Sequence, residues 1–217
     1  SVFSPADLIT PDDVRGSRAT LDEAVTTDGW PTLNASRGKV MFLMDNGGGY
    51  RTDYLAGHPS LAGRVLFTNA SPGQADAAFV KMNNSSDEAL IAQLVAAGYV
   101  VRTRAASDTS EARTGDTTTR DAALRSGAQW VSTDYPAPGL AVEFTSDYYV
   151  SMPGGVVARC NPVNAPPSCA GEQDGWRGSV APVVPPVSTS PTTAPSTTVP
   201  GGPDRDNAST GRPRPAT

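Results

Sequence analysis

Five short apolar runs in this chain each end on charged or amide side chains. "KVMFLMD" (39–45) ends on Asp45, "RVLFTN" (64–69) on Asn69 and "AAFVKMN" (77–83) on Lys81 and Asn83. "YVVRTR" (99–104) ends on Arg102 and Arg104, and "WVSTD" (130–134) on Asp134. Gathered at one mouth, such cations neutralise an anionic group, while carboxylates hold hydroxyls or orient an acid/base group. That combination suits a phosphodiester of a sugar or polyol. Each position taken alone has a plainer reading, a solvated residue at the start of a loop. The set is more informative than its members. Arg102 and Arg104 flank one Thr in an otherwise apolar run, which is costly unless both are paired or at a wet mouth.

To bring these residues together, the runs must be parallel strands. Between them lie helix signals. "TPDDVRG" has Thr10 as N-cap, Pro11 at the first helical position and acids in the first turn. "TLDEAVTTDG" pairs Thr20 with Glu23 as a capping box. "SDEALIAQLVAAG" is a helix capped by Ser86 and stopped at Gly98, and "TTRDAALRSG" is a short one ending at Gly127. "KVMFLMD" is apolar without alternation, as in a strand buried on both faces. Strand and helix in alternation predict a parallel α/β sheet with function at the carboxyl ends of the strands. Period-2 alternation puts Leu43 with Asp45, Phe79 with Lys81 and Asn83, and Arg102 with Arg104. An open doubly wound sheet and a closed barrel both satisfy the pattern. Neither G-x-G-x-x-G nor a Walker A loop is present, so nothing favours nucleotide binding. A (β/α)8 barrel takes about 250 residues, so a barrel reading makes this chain its second half.

Other chemistry-bearing residues read more plainly. His58 is the only histidine, in the Gly/Pro-rich "LAGHPSLAGR", and reads as an exposed loop residue. "DNGGGY" (45–50) lacks the lysine of a phosphate loop and reads as a turn. No His/Cys/Asp/Glu set has metal-ligand spacing, and there is no G-x-S-x-G elbow.

The 217 residues carry a net charge of -5, which argues against nucleic acid and against a polybasic membrane anchor. No apolar run approaches the roughly 18 residues that span a bilayer. Residues 179–217 hold nine of the twenty prolines and no aromatic residue. They form a Pro/Thr-rich tail expected to be disordered, which leaves 1–178 as the folding part. Cys160 and Cys169 bracket "NPVNAPPS". A disulfide there would clip an aperiodic loop and imply an oxidising, extracytoplasmic compartment. Two independent free thiols are the alternative.

"LITPDDVRG", "RGKVMFLMDN", "YLAGHPSLAGRVLFTNASPGQADAAFVKMN", "LVAAGYVVRTRAASDT", "RDAALRSGAQWVSTDYP" and "PGGVVARCNPVNAPPSC" follow one another in colinear order over about residues 5–170. Together they resemble the calcium-dependent phosphatidylinositol-specific phospholipase C-like family of secreted bacterial and fungal proteins. "STDYP" is also similar to the last strand of glycerophosphodiester phosphodiesterases. The resemblance implies a (β/α)8 TIM barrel and phosphoric diester hydrolysis of a phosphoinositide, with contact at the membrane surface. It also implies Ca²⁺ near the phosphate and two histidines as acid and base, all supplied by the first half of the barrel. Carried onto this chain, it makes Asp134 the last-strand carboxylate that orients a catalytic His or binds an inositol hydroxyl. Lys81 and Arg104 become cations facing phosphate or inositol, and Asp45 the carboxylate after "FLM". Two positions depart from the family pattern, Ala106 and Asn84, each where an Asp is expected. They lean toward a third reading, a secreted binding module without catalysis.

Overall fold

Thr10 and Pro11 open the first helix as their types dictate. In the computed structural model, which describes residues 2–156, 158–167 and 169, Thr10 Oγ1 accepts from the Asp13 amide and Asp13 answers from the Thr10 backbone N–H. This starts α1 (Pro11–Arg15). α2 (Leu21–Thr27) begins on Thr20, whose hydroxyl accepts from Glu23 N–H. The predicted box is only half made, because the Glu23 carboxylate turns to the Ala19 amide and to Arg18. There follow α3 (Leu33–Ser36), β1 (Phe42–Met44), α4 (Gly48–Leu55), β2 (Leu66–Thr68) and β3 (Phe79–Lys81). Then come α5 (Glu88–Ala96), β4 (Val100–Arg104), α6 (Ser110–Thr114), α7 (Thr118–Arg125) and β5 (Trp130–Ser132).

All strand pairs are parallel. β1 pairs with β2, and β3, β4 and β5 pair in that order. A single bridge, Asn69 to Phe79, joins the two sheets, and a second, Leu8 to Val40, sets an extended segment beside the approach to β1. Six parallel segments therefore lie side by side in chain order. Among the described residues the ladder does not close on itself.

One face of the ladder is packed. Phe67, Val80 and Val101 bury against Leu21, Ile91 and Val95 of the helices. The other is open enough that Phe42, Leu43 and Met44 are only half-buried. The apolar run at 39–45 is thus not a strand covered on both faces. Its apolar content serves one packed face, through Met41 and Leu43, and one on which Phe42 meets the edge of the Phe3 ring at 5.6 Å.

Gly98 ends the α5 connection where no other residue fits. Its φ is +104°, and a Cβ there would stand 2.1 Å from the Val25 carbonyl oxygen. Ser86, in contrast, is not the cap of α5. Asp87 holds that position, and its side chain makes no capping bond.

A second apolar cluster lies over the ends of β4 and β5. Tyr135 and Tyr148 meet edge to face at 5.8 Å, and Tyr148 donates to the Ala105 carbonyl at 2.9 Å. Ala105, Ala106, Ala112, Ala123, Ala141 and Val150 complete it. Cys160 and Cys169 are joined in a disulfide. The loop they close docks on helix ends. Asn161 donates to the Gly127 carbonyl at 2.7 Å, Asn164 to that of Val95 at 3.3 Å, and Arg159 to that of Leu124. Leu124 and Val95 lie in the last turns of α7 and α5, where Val95 also accepts from the Gly98 amide, and Gly127 lies just past the end of α7. No described helix is long and apolar enough to cross a membrane. The tail predicted at 179–217 lies outside the described residues.

Candidate functional site

The sheet register collects the strand-end residues. Lys81 is in register with Arg102, Arg102 with Trp130, and Arg104 with Ser132. Neighbours in register share a face, so Lys81, Arg102 and Arg104 stand together on the open side. Val101 and Thr103, alternating with the arginines, are fully buried on the other. Alternation alone therefore moves both guanidinium groups to the uncovered face. Phe79 and Trp130 stack at 5.4 Å on the same side, a ring pair beneath the charges.

Two of the predicted residues meet. Lys81 Nζ donates to Asp45 Oδ1 at 2.6 Å, joining the ends of β1 and β3. The Lys81 backbone N–H donates to Asn69 Oδ1 at 3.0 Å, so the end of β2 is tied in between. Arg102 donates to Asn83 Oδ1 at 2.6 Å. Arg104 and Asp134 have been brought to adjacent strand ends but not into contact. Arg104 is half-buried and Asp134 exposed, and neither makes a hydrogen bond or ion pair among the described residues.

His58 lies elsewhere. It follows α4 on the loop entering the amino end of β2, half-buried rather than exposed. Its Nδ1 is 2.7 Å from the Ala62 carbonyl, which can only accept, so Nδ1 carries the proton. The glycine run after Asp45 is not a simple turn. Gly48 and Gly49 are the first residues of α4, with Gly47 at the N-cap position.

Sequence reasoning missed the most buried charged group near the strand ends. Asp76 is 5% exposed and accepts from Arg51 Nη2 at 2.7 Å and from the Thr68 hydroxyl at 2.6 Å. Thr68 closes β2, so this pair braces the point where the two sheets part. Arg51 and Asp76 are separated by 25 residues and by a whole strand, and neither segment shows a pattern that announces the pairing.

One of the two family departures acquires a structural reason. Ala106 is 6% exposed in the second apolar cluster, where a carboxylate would sit without a partner. Asn84 Oδ1 accepts from the Ser86 amide at 3.2 Å, a bond that an aspartate oxygen would make equally well.

Residues 1–162 match the family described as phosphoinositide phospholipase C, Ca²⁺-dependent. The chain belongs to that family. No curated protein and no solved structure matches it. Membership in this phospholipase C family implies calcium. Among the described residues, however, no three His, Cys, Asp or Glu side chains are grouped to hold a metal ion. Asp45 is already paired with Lys81. A Ca²⁺ site needs six to eight oxygen ligands, and the residues described here do not fit one.

Proposed function

We propose that this chain forms the anion-binding wall of a phosphoinositide-cleaving phosphoric diester hydrolase, within a (β/α)8 barrel of which residues 1–178 are the C-terminal part. The carrying observation is Arg104, a cation on the open face of a parallel strand with no partner among the described residues. A guanidinium held at a strand's carboxyl end without a carboxylate is matched by an anionic ligand. Lys81 and Arg102 lie on the same face, and family membership names the anion class.

In this reading the phosphodiester lies along Arg104 and Lys81. Their charges stabilise the negative charge that grows on the phosphoryl oxygens as the bond to the leaving group breaks. Asp134, without a partner among the described residues, accepts from a headgroup hydroxyl or from an imidazole N–H. His58 takes no part, since it lies on a loop at the amino end of β2 with its Nδ1 proton spent on Ala62. The acid/base pair and the Ca²⁺ ligands then come from residues other than those described. The 217-residue chain by itself is inactive in this account. The disulfide supports an extracytoplasmic location, and substrate is met at a membrane surface without a spanning helix.

The test is turnover. In a protein where this chain completes the barrel, Arg104→Gln and Lys81→Gln each lower kcat/KM on phosphatidylinositol vesicles by on the order of 100-fold. The released product is an inositol phosphate. Release of glycerol phosphate would instead select a glycerophosphodiester hydrolase. Headgroup binding without any release would select a binding module.

A further inference from the structure

We propose that the free edge of β5 is a docking groove for a parallel strand bearing a carboxylate, the nearer of two strands needed to close the barrel. This deepens the proposed function and rests on it. A (β/α)8 barrel closes on eight strands. The ladder here supplies six, from the segment 7–9 at one edge to β5 at the other. Two are therefore wanting between those edges. Parallel strands come with a crossover, so the complement is one β–α–β unit.

Both edges have backbone groups to offer. Successive residues of a strand turn their peptide groups to opposite sides. The Ser132 carbonyl accepts from the Ala105 amide, which fixes Ser132 toward β4 and turns Val131 to the free edge. At the far edge, Asp7 and Ile9 both bond Val40, so Leu8 turns its carbonyl outward. Unpaired groups of this kind are a template for another strand. The Val131 edge is also recessed. A groove of about 680 Å³ runs along it, bounded by Leu124 of α7, by Trp130 and by Met152. Trp130 is 36% exposed, although strands of a parallel sheet are ordinarily covered on both faces.

Charge selects what lies in the groove. Among the described residues its lining holds two cations, Arg102 and Arg159, and no carboxylate. Arg102 bonds the Asn83 amide oxygen and Arg159 the Leu124 carbonyl, both neutral. A strand entering here takes water from both guanidinium groups, a loss that an opposite charge on that strand offsets. A second copy paired edge to edge would instead bring like charges together. Residues 179–217 hold nine prolines, which lack the N–H that a ladder needs.

The test adds a capped heptapeptide of alternating valine and glutamate to the isotopically labelled 217-residue chain. Hydrogen exchange at the Val131 amide is followed, with the Nε–Hε signals of Arg102 and Arg159. Val131 is expected to exchange freely in the chain alone and at least tenfold more slowly at saturating peptide. Both guanidinium signals shift saturably, and a peptide with lysine for glutamate does neither. Arg159→Gln is expected to weaken the glutamate peptide about threefold or more. A nitroxide on the peptide's amino end should broaden Gln129 rather than Thr133, as a parallel strand requires. Absent protection, equal binding of the lysine peptide, equal affinity in Arg159→Gln, or broadening at Thr133 would overturn the groove. So would protection before any peptide is added. If that protection rises with chain concentration, a second copy holds the edge, and if it is constant, the chain's own tail does. Strand addition at Val131 is read without any phosphodiester. Its failure is therefore told apart from a failure of the strand-end cations at Arg104 to bind one.

Discussion

Lys81 Nζ and Asp45 Oδ1 lie 2.6 Å apart, bridging the ends of two strands that belong to different sheets. The pair is lopsided in exposure, with Lys81 22% and Asp45 73% exposed. Water screens it, so it holds charges in place rather than holding the fold together. Asp45→Ala and Lys81→Ala are each expected to change unfolding stability by less than about 1 kcal/mol in urea titrations. A larger loss in either would mean that the pair is structural.

Asp76 is the opposite case. Removing its carboxylate leaves Arg51 charged and only 21% exposed beside a buried Thr68 hydroxyl. Asp76→Ala is expected to cost roughly 3–5 kcal/mol, read as a lower urea midpoint. A variant as stable as the parent would show that water enters freely at the split between the sheets.

Restoring the family's aspartate at one position should harm this chain. Ala106 packs among Tyr135, Tyr148 and four other alanines. Ala106→Asp would bury a carboxylate there, with an expected loss of about 3 kcal/mol or more in calorimetric unfolding. Asn84→Asp, by contrast, keeps its turn bond and is expected to be neutral within about 0.5 kcal/mol.

Tyr99 and Tyr148 give the fold an alkaline limit. Burial first, and then the hydrogen bond to Asp22, pushes the Tyr99 phenol up to about 12. Burial, with the nearby charge of Glu111, does the same for Tyr148, also to about 12. The ordinary value is near 10. The unfolded chain therefore releases these protons first as pH rises. Their contribution is intact below about pH 10 and is lost between about pH 10 and 12. Phenolate absorbance should show Tyr99 and Tyr148 titrating late, with stability falling over the same interval. Tyr99 and Tyr148 titrating near pH 10 would contradict this.

Much of the scaffold can be read from the chain because its signals are local. Thr10 and Thr20 cap helices through bonds three residues long, and the five apolar runs are short enough to be nothing but strands. Their burial was less legible. "KVMFLMD" looks like a fully covered strand, yet whether a face is covered depends on what packs there, and no local pattern encodes it. The glycine run at 47–49 hid the start of α4 because glycine signals a turn more strongly than a helix. In the site, the types at the strand ends were visible and alternation set Arg102 and Arg104 on one face. The Asp45–Lys81 contact needed the strand order as well. The Arg51–Asp76 pair could not be read, since it joins a helix to a loop across β2 with no periodic relation between them. The cysteine pair was legible because only two were present and close together.

The central claim is that Arg104 and Lys81 face a phosphodiester. It is tested most directly by titrating glycerophosphoinositol, a soluble phosphodiester, into the labelled chain and mapping the backbone amides that respond. The account predicts saturable shifts at Lys81, Arg102, Arg104 and residues 132–134, with affinity falling at least tenfold, about 1.4 kcal/mol, in Arg104→Gln. No response at these strand ends, or equal affinity in Arg104→Gln, would contradict it.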